Sequence, residues 1–495
     1  VELDRNACYR VLLARDARHD GRFFTCVKTT GIYCRPICPA RTPKLANCLF
    51  VTSAAAAQEA GFRPCLRCRP ERSPDLVMGR GSSATVSRAL GLIERGALDE
   101  ADVEALAERL GVGARQLRRL FHQHLGASPI TVAQTRRVLL AKQLIHDSAL
   151  SMTEVALASG FSSLRRFNET FKQLFDRPPS ALRRRAAPST RASGLELFLP
   201  YRAPYDFAQL LAFLAARAIV GVELVSDGRY ARVIELGGVV GSLAVSDCPA
   251  RNALRVEVRL AKLTALPALI ARLRHVFDLG SDPHVIAREL GKDPLLAPLV
   301  AARPGLRVPG AWDGFEIAVR GILGQQITVR AATRLAGKLV ASLGRPLANG
   351  LLEPGLSHAF PGPERFELAQ VERLGMPRAR AAALCGLARA LRENPRLFDT
   401  GQELEHAVAR LTQLPGIGAW TAQYIALRAL AQGDAFPVGD IGLLRALAAA
   451  QGSARPSPKA LLARAEAWRP WRAYAALHLW SADAARKGDL DAVAS

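Results

Sequence analysis

Leu414-Pro415-Gly416-Ile417-Gly418-Ala419-Trp420-Thr421-Ala422 decides how the C-terminal part of the chain is read. Two glycines bracket one apolar residue, and a helix-forming run follows. A turn of this kind, opening a helix, exposes backbone N–H groups that suit a pair of phosphate oxygens. Hairpins like it also act as plain DNA grips, so the motif alone gives a contact and no reaction. Asp440 lies 22 residues beyond Gly418, directly after Phe436-Pro437-Val438-Gly439. An aspartate at a helix start is ordinarily an N-cap.

Outward from this motif the chain divides. Its 495 residues are too many for one hydrophobic core, and about three domains are expected. Cysteines concentrate in residues 1–72, and a Ser/Pro/Gly stretch at 73–83 reads as a linker. Residues 84–185 carry a helical pattern, closed by the basic run Arg183 to Arg185; a second linker follows, with Pro188 and Ser193. From Leu195 to about 283 short strands alternate with turns (LELFLP, GRYARVIEL, VVGSLAV, ALRVEVRL), and an amphipathic helix is expected at 206–217. After about 284 the chain reads as helical to its end, broken at Pro294, Pro304, Pro361, Pro363, Pro415, Pro437 and Pro470. The expected fold class is therefore multidomain α+β.

Charge narrows the partners. Sixty-seven Lys and Arg against 44 Asp and Glu give +23. Such a surface favours nucleic acid, where each phosphate contact releases counterions; the bland alternative is an Arg-rich genome. No stretch is long and apolar enough to span a bilayer, and no secretory signal is visible, so no membrane partner and a cytoplasmic, nucleoid-associated location are expected.

Within 84–185 a pattern repeats. Ala107-x3-Gly111 followed by Leu117, Phe121 and Leu125 is echoed by Ala156-x3-Gly160 followed by Phe167, Phe171 and Phe175. Spacing by fours puts the apolar residues on one helix face, small Ala permits close crossing, and Gly supplies the tight turn. This is helix-turn-helix logic, twice. The stretches LAERLGVGARQLRRLFHQHLGASP and MTEVALASGFSSLRRFNETFKQLF resemble the paired helix-turn-helix of AraC-type regulators. The resemblance implies an all-α module, recognition helices starting near Ala114 and Ser162, and promoter DNA and RNA polymerase as partners. Arg115, Gln116 and Arg119, then Ser163, Arg165, Arg166 and Asn168, are the candidates to face DNA, where Arg suits guanine and Asn adenine.

Seven of the nine cysteines precede residue 70. Cys34-Arg-Pro-Ile-Cys38 and Cys65-Leu-Arg-Cys68 form two close pairs separated by 26 residues. Four thiolates at this spacing suit one tetrahedral zinc ion, and a purely structural zinc knuckle satisfies the spacing equally well. TTGIYCRPICPAR and GFRPCLRCRP resemble the N-terminal zinc domain of Ada proteins, which repair methyl phosphotriesters. The resemblance covers about residues 5–72 and implies a small zinc-bound α/β domain whose first ligand, Cys34, accepts the methyl group. It also implies that Thr30, Arg41 and Arg63 hold the DNA backbone. Zinc would keep the sulfur as thiolate. Four thiolates on one divalent ion give a formal −2, which admits a neutral methylated phosphate and repels an anionic one. Methylation of Cys34 reduces the site to −1 and weakens repulsion toward neighbouring phosphates, which suggests a transcriptional switch. Cys26 and Cys48 read as core cysteines.

The C-terminal motif sits in a longer match. PYDFAQLLAFLAARAIVGVE, AARPGLRVPGAWDGFEIAVRGILGQQITV and WRPWRAYAALHLW, with the hairpin, resemble AlkA-type 3-methyladenine DNA glycosylases over about 195–488. The resemblance implies a TATA-binding-protein-like α+β subdomain at 195–283, an all-α helix-hairpin-helix glycosylase domain at 284–488, and alkylation-damaged duplex DNA as substrate. It makes Asp440 catalytic, Gly416 and Gly418 phosphate contacts, and Trp420, Tyr424 and Trp480 a base pocket, against the alternative that these aromatics are core. Stacking and cation–π attraction suit a cationic alkylated purine. Glycosylases that also cut the strand carry a Lys just after the hairpin glycines; Trp420 stands there, so a monofunctional hydrolase without cofactor is expected. In Gly324-Gln325-Gln326 the glutamines occupy the loop that enters the base stack, and Gln326 stands where this family usually has an apolar wedge.

Full-length Ada ends in a second methyltransferase with a Pro-Cys-His-Arg motif. The later cysteines, Cys248 and Cys385, do not fit it, so reversal of O6-methylguanine is not expected. The expected protein is a monomeric repair enzyme with one zinc ion. Two other readings stay open at this point: a regulator whose glycosylase half is only a DNA clamp, and a glycosylase whose zinc domain is only a targeting arm.

Overall fold

The computed structural model describes residues 3–74, 84–94, 96–183, 194–347, 350, 352–400 and 402–493. Most of both expected linkers, with Arg184 and Arg185 of the basic run, lie outside the described residues. Ser73, expected to open the first linker, is buried, and its hydroxyl is 3.2 Å from Asp20 Oδ1.

The N-terminal segment folds as a helix, Arg5–Ala14, and a four-stranded sheet. Its strands are β1 (Phe24–Val27), β2 (Ile32–Cys34), β3 (Cys48–Val51) and β4 (Arg63–Pro64), in the order β3-β1-β2-β4. β2 and β4 run parallel, with Tyr33 opposite Pro64. The next residue on each strand is a cysteine, so this one pairing sets Cys34 beside Cys65.

Two helix pairs follow, Val103–Arg109 with Ala114–Leu125 and Met152–Ala158 with Leu164–Phe175. Gly111 and Gly160 have φ of +69° and +86°, as the tight turns require. The helix Pro129–Asp147 joins the pairs. Lys142 lies at 0% exposure on it, and its ammonium donates to Glu71 Oε2 at 2.6 Å and to the Cys65 carbonyl at 3.0 Å. Asp147, at the end of the same helix, accepts from Arg69 and Arg72. The zinc-domain segment is thus fastened to the helical module by ion pairs, one of them fully buried.

A five-stranded antiparallel sheet comes next: β5 (Leu195–Pro200), β6 (Glu223–Ser226), β7 (Arg229–Leu236), β8 (Val239–Cys248) and β9 (Ala253–Leu260), in the order β5-β9-β8-β7-β6. β6 escaped the sequence reading because it is only four residues long. Its signal was the turn: Asp227 and Gly228 both have positive φ, 51° and 70°, as a two-residue hairpin requires. The helix Phe207–Ala215 packs on this sheet, close to the expected 206–217.

The segment after 284 is not wholly helical. β10 (Arg345–Pro346) and β11 (His358–Ala359) pair within it, because Pro346 and the Pro354-Gly355 turn interrupt the helical pattern. The rest is helical and holds two apolar clusters, with Trp480 packed against both.

The regulatory-type and glycosylase-type segments share one core. Val138, Phe167 and Phe171 of the helical module belong to the same buried cluster as Leu199, Tyr230 and Val256 of the sheet and Leu269 beyond it. Gln143 Nε2 also donates to the Phe198 carbonyl at 2.8 Å. The zinc-domain segment meets the sheet region too: Arg202, 4% exposed, donates to the carbonyls of Arg18 and Asp20, and Arg22 pairs with Asp282 at 2.7 Å.

Lys142→Ala removes one of the two cations on the buried Glu71 carboxylate and leaves it with Arg69, 2.8 Å from Oε1. The expected cost is about 1.5–3 kcal/mol, that of a hydrogen bond to a charged group, read as a lower urea midpoint for the unfolding step that includes the zinc-domain segment. Lys142→Met combined with Glu71→Leu is expected to recover most of that loss.

Candidate active site and metal centre

Asp440 is the N-cap of the helix Ile441–Gln451 and is more than a cap. Its Oδ1 accepts from Gly442 N at 2.8 Å, Leu443 N at 3.1 Å and Trp480 Nε1 at 2.8 Å. Its Oδ2 accepts from Trp420 Nε1 at 3.1 Å. A carboxylate offers about four acceptor positions, so Oδ1 is crowded and Oδ2 keeps capacity for a further group. The two indoles hold the carboxylate from opposite helices, Ala419–Arg428 and Arg472–Val493. Gly442 permits this: a Cβ there would lie 3.0 Å from Asp440 Oδ1 and 3.2 Å from the Trp480 ring.

These groups line an open cleft of about 1450 Å³. Trp420 and Tyr424 stack on one wall, with centroids 5.2 Å apart and planes within 9°. Tyr424 OH accepts from Arg428 at 2.7 Å. The structure therefore brings Asp440, Trp420, Tyr424 and Trp480 to one cavity, as the resemblance implied. Sequence reading missed Phe213, Arg217 and Arg428, which line the same cleft. The signal for the first two was their spacing of four on the helical pattern of 206–217; nothing around Arg428 marked it.

The hairpin precedes Trp420. Gly416 has φ +82°, and a Cβ there would lie 2.4 Å from Ala383 Cβ. Gly418 caps the helix Ala419–Arg428, is exposed, and has open space where its Cβ would be. The two expected loop glutamines stand differently. Gln325 Nε2 donates to the Gly416 carbonyl at 2.7 Å and to Thr421 Oγ1 at 3.2 Å, so this side chain is folded back onto the hairpin. Gln326 is exposed at the loop tip with φ +61°, followed by exposed Ile327 and Val329.

The four cysteine sulfurs Cys34, Cys38, Cys65 and Cys68 lie within 4.8 Å of one another. Tetrahedral zinc with bonds of about 2.3 Å places sulfurs about 3.8 Å apart, so the donor set fits that ion. Backbone amides donate to three of the sulfurs: Arg35 N to Cys68 and Arg67 N to Cys65, both at 3.4 Å, and Ala40 to Cys38. Among the described residues no amide is recorded on Cys34, and it alone of the four is not fully buried. Hydrogen bonds drain charge from a thiolate, so Cys34 keeps the most nucleophilic and most reachable sulfur. Thr30 and Arg41 are exposed; Arg63 is partly buried on β4 opposite Ile32. Cys26 and Cys48 are buried core residues, and burial pushes the Cys26 thiol up to about 12.

On the helical module, Arg115, Gln116, Arg119, Ser163, Arg165, Arg166 and Asn168 are all exposed. Ser163 is spoken for as an N-cap, accepting from Arg166 N at 3.2 Å, and Arg165 pairs with Glu169 at 2.8 Å.

Gly416→Ala is expected to cost several kcal/mol through strained φ and overlap with Ala383 and to lower duplex affinity at least about tenfold. Gly418→Ala, with open space for its Cβ, is expected to keep the melting temperature. Thermal unfolding and fluorescence anisotropy read the two effects.

The comparisons with known proteins follow this division of the chain. Family models match the metal-binding domain of Ada over residues 7–71, a helix-turn-helix domain over 106–185, the AlkA N-terminal domain over 196–313, and the HhH-GPD superfamily of base excision DNA repair proteins over 319–472. A Mycobacterium tuberculosis protein named "Probable bifunctional transcriptional activator/DNA repair enzyme AlkA" is 41% identical over 483 residues, 97% of this chain and 96% of that protein. DNA-3-methyladenine glycosylase 2 of Escherichia coli is 36% identical over 285 residues, 57% of this chain and 95% of its own length. Among solved structures, the 3-methyladenine DNA glycosylase of Archaeoglobus fulgidus superposes with a TM-score of 0.52 at 22% identity, covering 58% of this chain and 98% of that one, a likeness of fold. The chain belongs to the AlkA family of DNA repair proteins, in the form that carries an Ada-type metal-binding domain and a helix-turn-helix module ahead of the glycosylase.

Proposed function

We propose that this protein excises alkylated purines such as 3-methyladenine from DNA by hydrolysing the N-glycosidic bond, and that Cys34 separately accepts a methyl group from backbone phosphotriesters. The observation that carries the first activity is the Asp440 carboxylate, held by two indoles and two backbone amides at the cleft with Oδ2 under-occupied. Extruding a nucleotide costs a few kcal/mol. The hairpin at Gly416 and Gly418 supports that step by gripping the backbone, and Gln326 with Ile327 stands ready to fill the vacated stack. The base enters beside Trp420 and Tyr424. As the C1′–N bond breaks, its electron pair leaves with the base and positive charge develops on the sugar. Asp440 Oδ2 faces that charge and orients the attacking water. Trp420 stands where a lyase carries its amine, so the reaction ends at an abasic site.

Zinc, bound by Cys34, Cys38, Cys65 and Cys68, keeps the sulfurs deprotonated. Cys34 Sγ then attacks the methyl carbon of the phosphotriester; the S–C bond forms, the C–O bond breaks, and the phosphate leaves as a diester anion. Thr30, Arg41 and Arg63 are proposed to hold the backbone during transfer. The negative charge of the site falls by one unit, from −2 to −1, so methylated protein is expected to bind promoter DNA more tightly through the exposed recognition helices. Equal affinity before and after methylation removes that switch.

The family is one of DNA repair and DNA binding, and among the described residues no helix is long and apolar enough to cross a membrane. A monomer in the nucleoid, with RNA polymerase as the partner of its activating form, completes the proposal.

DNA carrying labelled methyl groups on bases and backbone tests both activities at once. Asp440→Asn is expected to lower release of labelled 3-methyladenine by at least about a thousandfold while DNA binding and label uptake by protein persist. Cys34→Ala is expected to abolish protein labelling and leave purine release intact. Retained release in Asp440→Asn, or retained labelling in Cys34→Ala, overturns the corresponding assignment.

A further inference from the structure

The cleft is electrically polarised. Behind its wall, Glu223 and Glu316 are matched by Arg232 and Arg320: Arg232 reaches Glu316 at 2.9 Å, and Arg320 reaches Glu316 at 2.6 Å and Glu223. Arg272 lies 3.7 Å from Asp313, and Arg445 pairs with Asp483. Of the remaining guanidiniums of the cleft, Arg330 is exposed on the helix Val329–Leu343, and two, Arg217 and Arg428, stand at the aromatic wall. Among the described residues neither Arg217 nor Arg428 has a carboxylate within ion-pair distance. Arg428 spends its donors on the carbonyls of Pro309 and Gly310 and on Tyr424 OH. Arg217 lies 3.7 Å over the Phe213 ring, gives one N–H to the Phe213 carbonyl at 3.2 Å, and contacts Tyr424.

These groups form a row along the cavity: Asp440, Trp420, Tyr424, then Arg217 and Arg428 against Phe213. Negative charge stands at the sugar end and positive charge at the far end of the aromatic wall. The field there is strong enough to act on its neighbours: burial pushes the Tyr424 phenol up, but Arg428 and Arg217 overcome this and hold it below its ordinary value.

We propose that Arg217, supported by Arg428, stabilises the electron pair that the departing base acquires, and so sets the balance between neutral and cationic lesions. The inference rests on excision at Asp440. When the C1′–N bond of a neutral lesion breaks, the pair leaves an anion on the base, which later takes a proton from water while hydroxide goes to C1′. A guanidinium at the base end strengthens as that charge grows. A cationic N-methylpurine departs neutral. It gains no such stabilisation and is opposed by Arg217 on entry. The pocket therefore carries a device for neutral bases alongside the aromatic wall that suits cations.

The test compares single-turnover release from two duplexes, one with hypoxanthine as the neutral base and one with 7-methylguanine as the cationic base. Arg217→Gln is expected to slow hypoxanthine release about a hundredfold and to leave 7-methylguanine release unchanged or faster. Arg217→Lys, which keeps the charge, is expected to restore most of the hypoxanthine rate. Equal losses on both substrates mean a structural role, and they overturn the proposal. So do an unchanged ratio, failure of the Lys variant to rescue, or no hypoxanthine release by the wild type. Asp440→Asn is run beside them: its loss on both substrates keeps the excision reading intact when the Arg217 inference fails, and its retained activity sinks the excision reading itself.

Discussion

The Asp440 carboxylate is the point on which the glycosylase half turns. It accepts four hydrogen bonds, two from the amides that begin its own helix and two from indoles on separate helices. Together these bonds remove the carboxylate's freedom to rotate. The constraint runs outward from there. A Cβ at residue 442 would crowd the Trp480 ring at 3.2 Å, so glycine there leaves room for the indole beside Asp440. Trp420 reaches it only because the hairpin starts its helix at Ala419. Gln325, tied to that hairpin at the Gly416 carbonyl, carries Gln326 to the loop tip. Hairpin, loop tip and carboxylate are thus one mechanical unit.

The zinc centre obeys a different constraint. Parallel pairing of β2 with β4 sets Cys34 beside Cys65, and amides donate to the other three sulfurs but, among the described residues, not to Cys34. The domain that holds it is not an independent appendage. Lys142 and Glu71 bind it to the helical module, while Arg202 and Arg22 bind it to the sheet region. The second helix-turn-helix shares a core with the five-stranded sheet. A chain whose parts resemble separate proteins is here packed as a continuous body, with the charged Arg35 side chain joining the Cys68 carbonyl and Asp20 next to Cys34.

What could be read from sequence was whatever had a short-range signature. The cysteine pairs, the glycine-bracketed hairpin and the two Ala-x3-Gly repeats each encode their geometry within a few residues. Asp440 was placed by its distance from the hairpin, and the resemblance put Trp420 and Trp480 at the same pocket; their hydrogen bonds to the carboxylate were not legible, since the two indoles are separated by 60 positions and meet only through folding. β6 was missed although Asp227-Gly228 announced its turn, and β10 and β11 were hidden in a helical background. The uncompensated guanidiniums were invisible for a physical reason: a charge is unpaired only relative to neighbours, and Glu316 for Arg232 and Glu223 for Arg320 come from distant stretches. The same holds for the shared core, where apolar faces of the helical module are completed by the sheet.

If Asp440 works because two indoles fix it, removing both donors while keeping the carboxylate is the most direct measurement. Trp420→Phe combined with Trp480→Phe preserves aromatic surface and deletes two hydrogen bonds to a charged group, each worth about 1.5–3 kcal/mol. With tenfold in rate for about every 1.4 kcal/mol, single-turnover release of 3-methyladenine is predicted to fall by at least about a hundredfold with duplex affinity maintained. Release at the wild-type rate would contradict the account, because Asp440 would then need nothing from the walls that hold it.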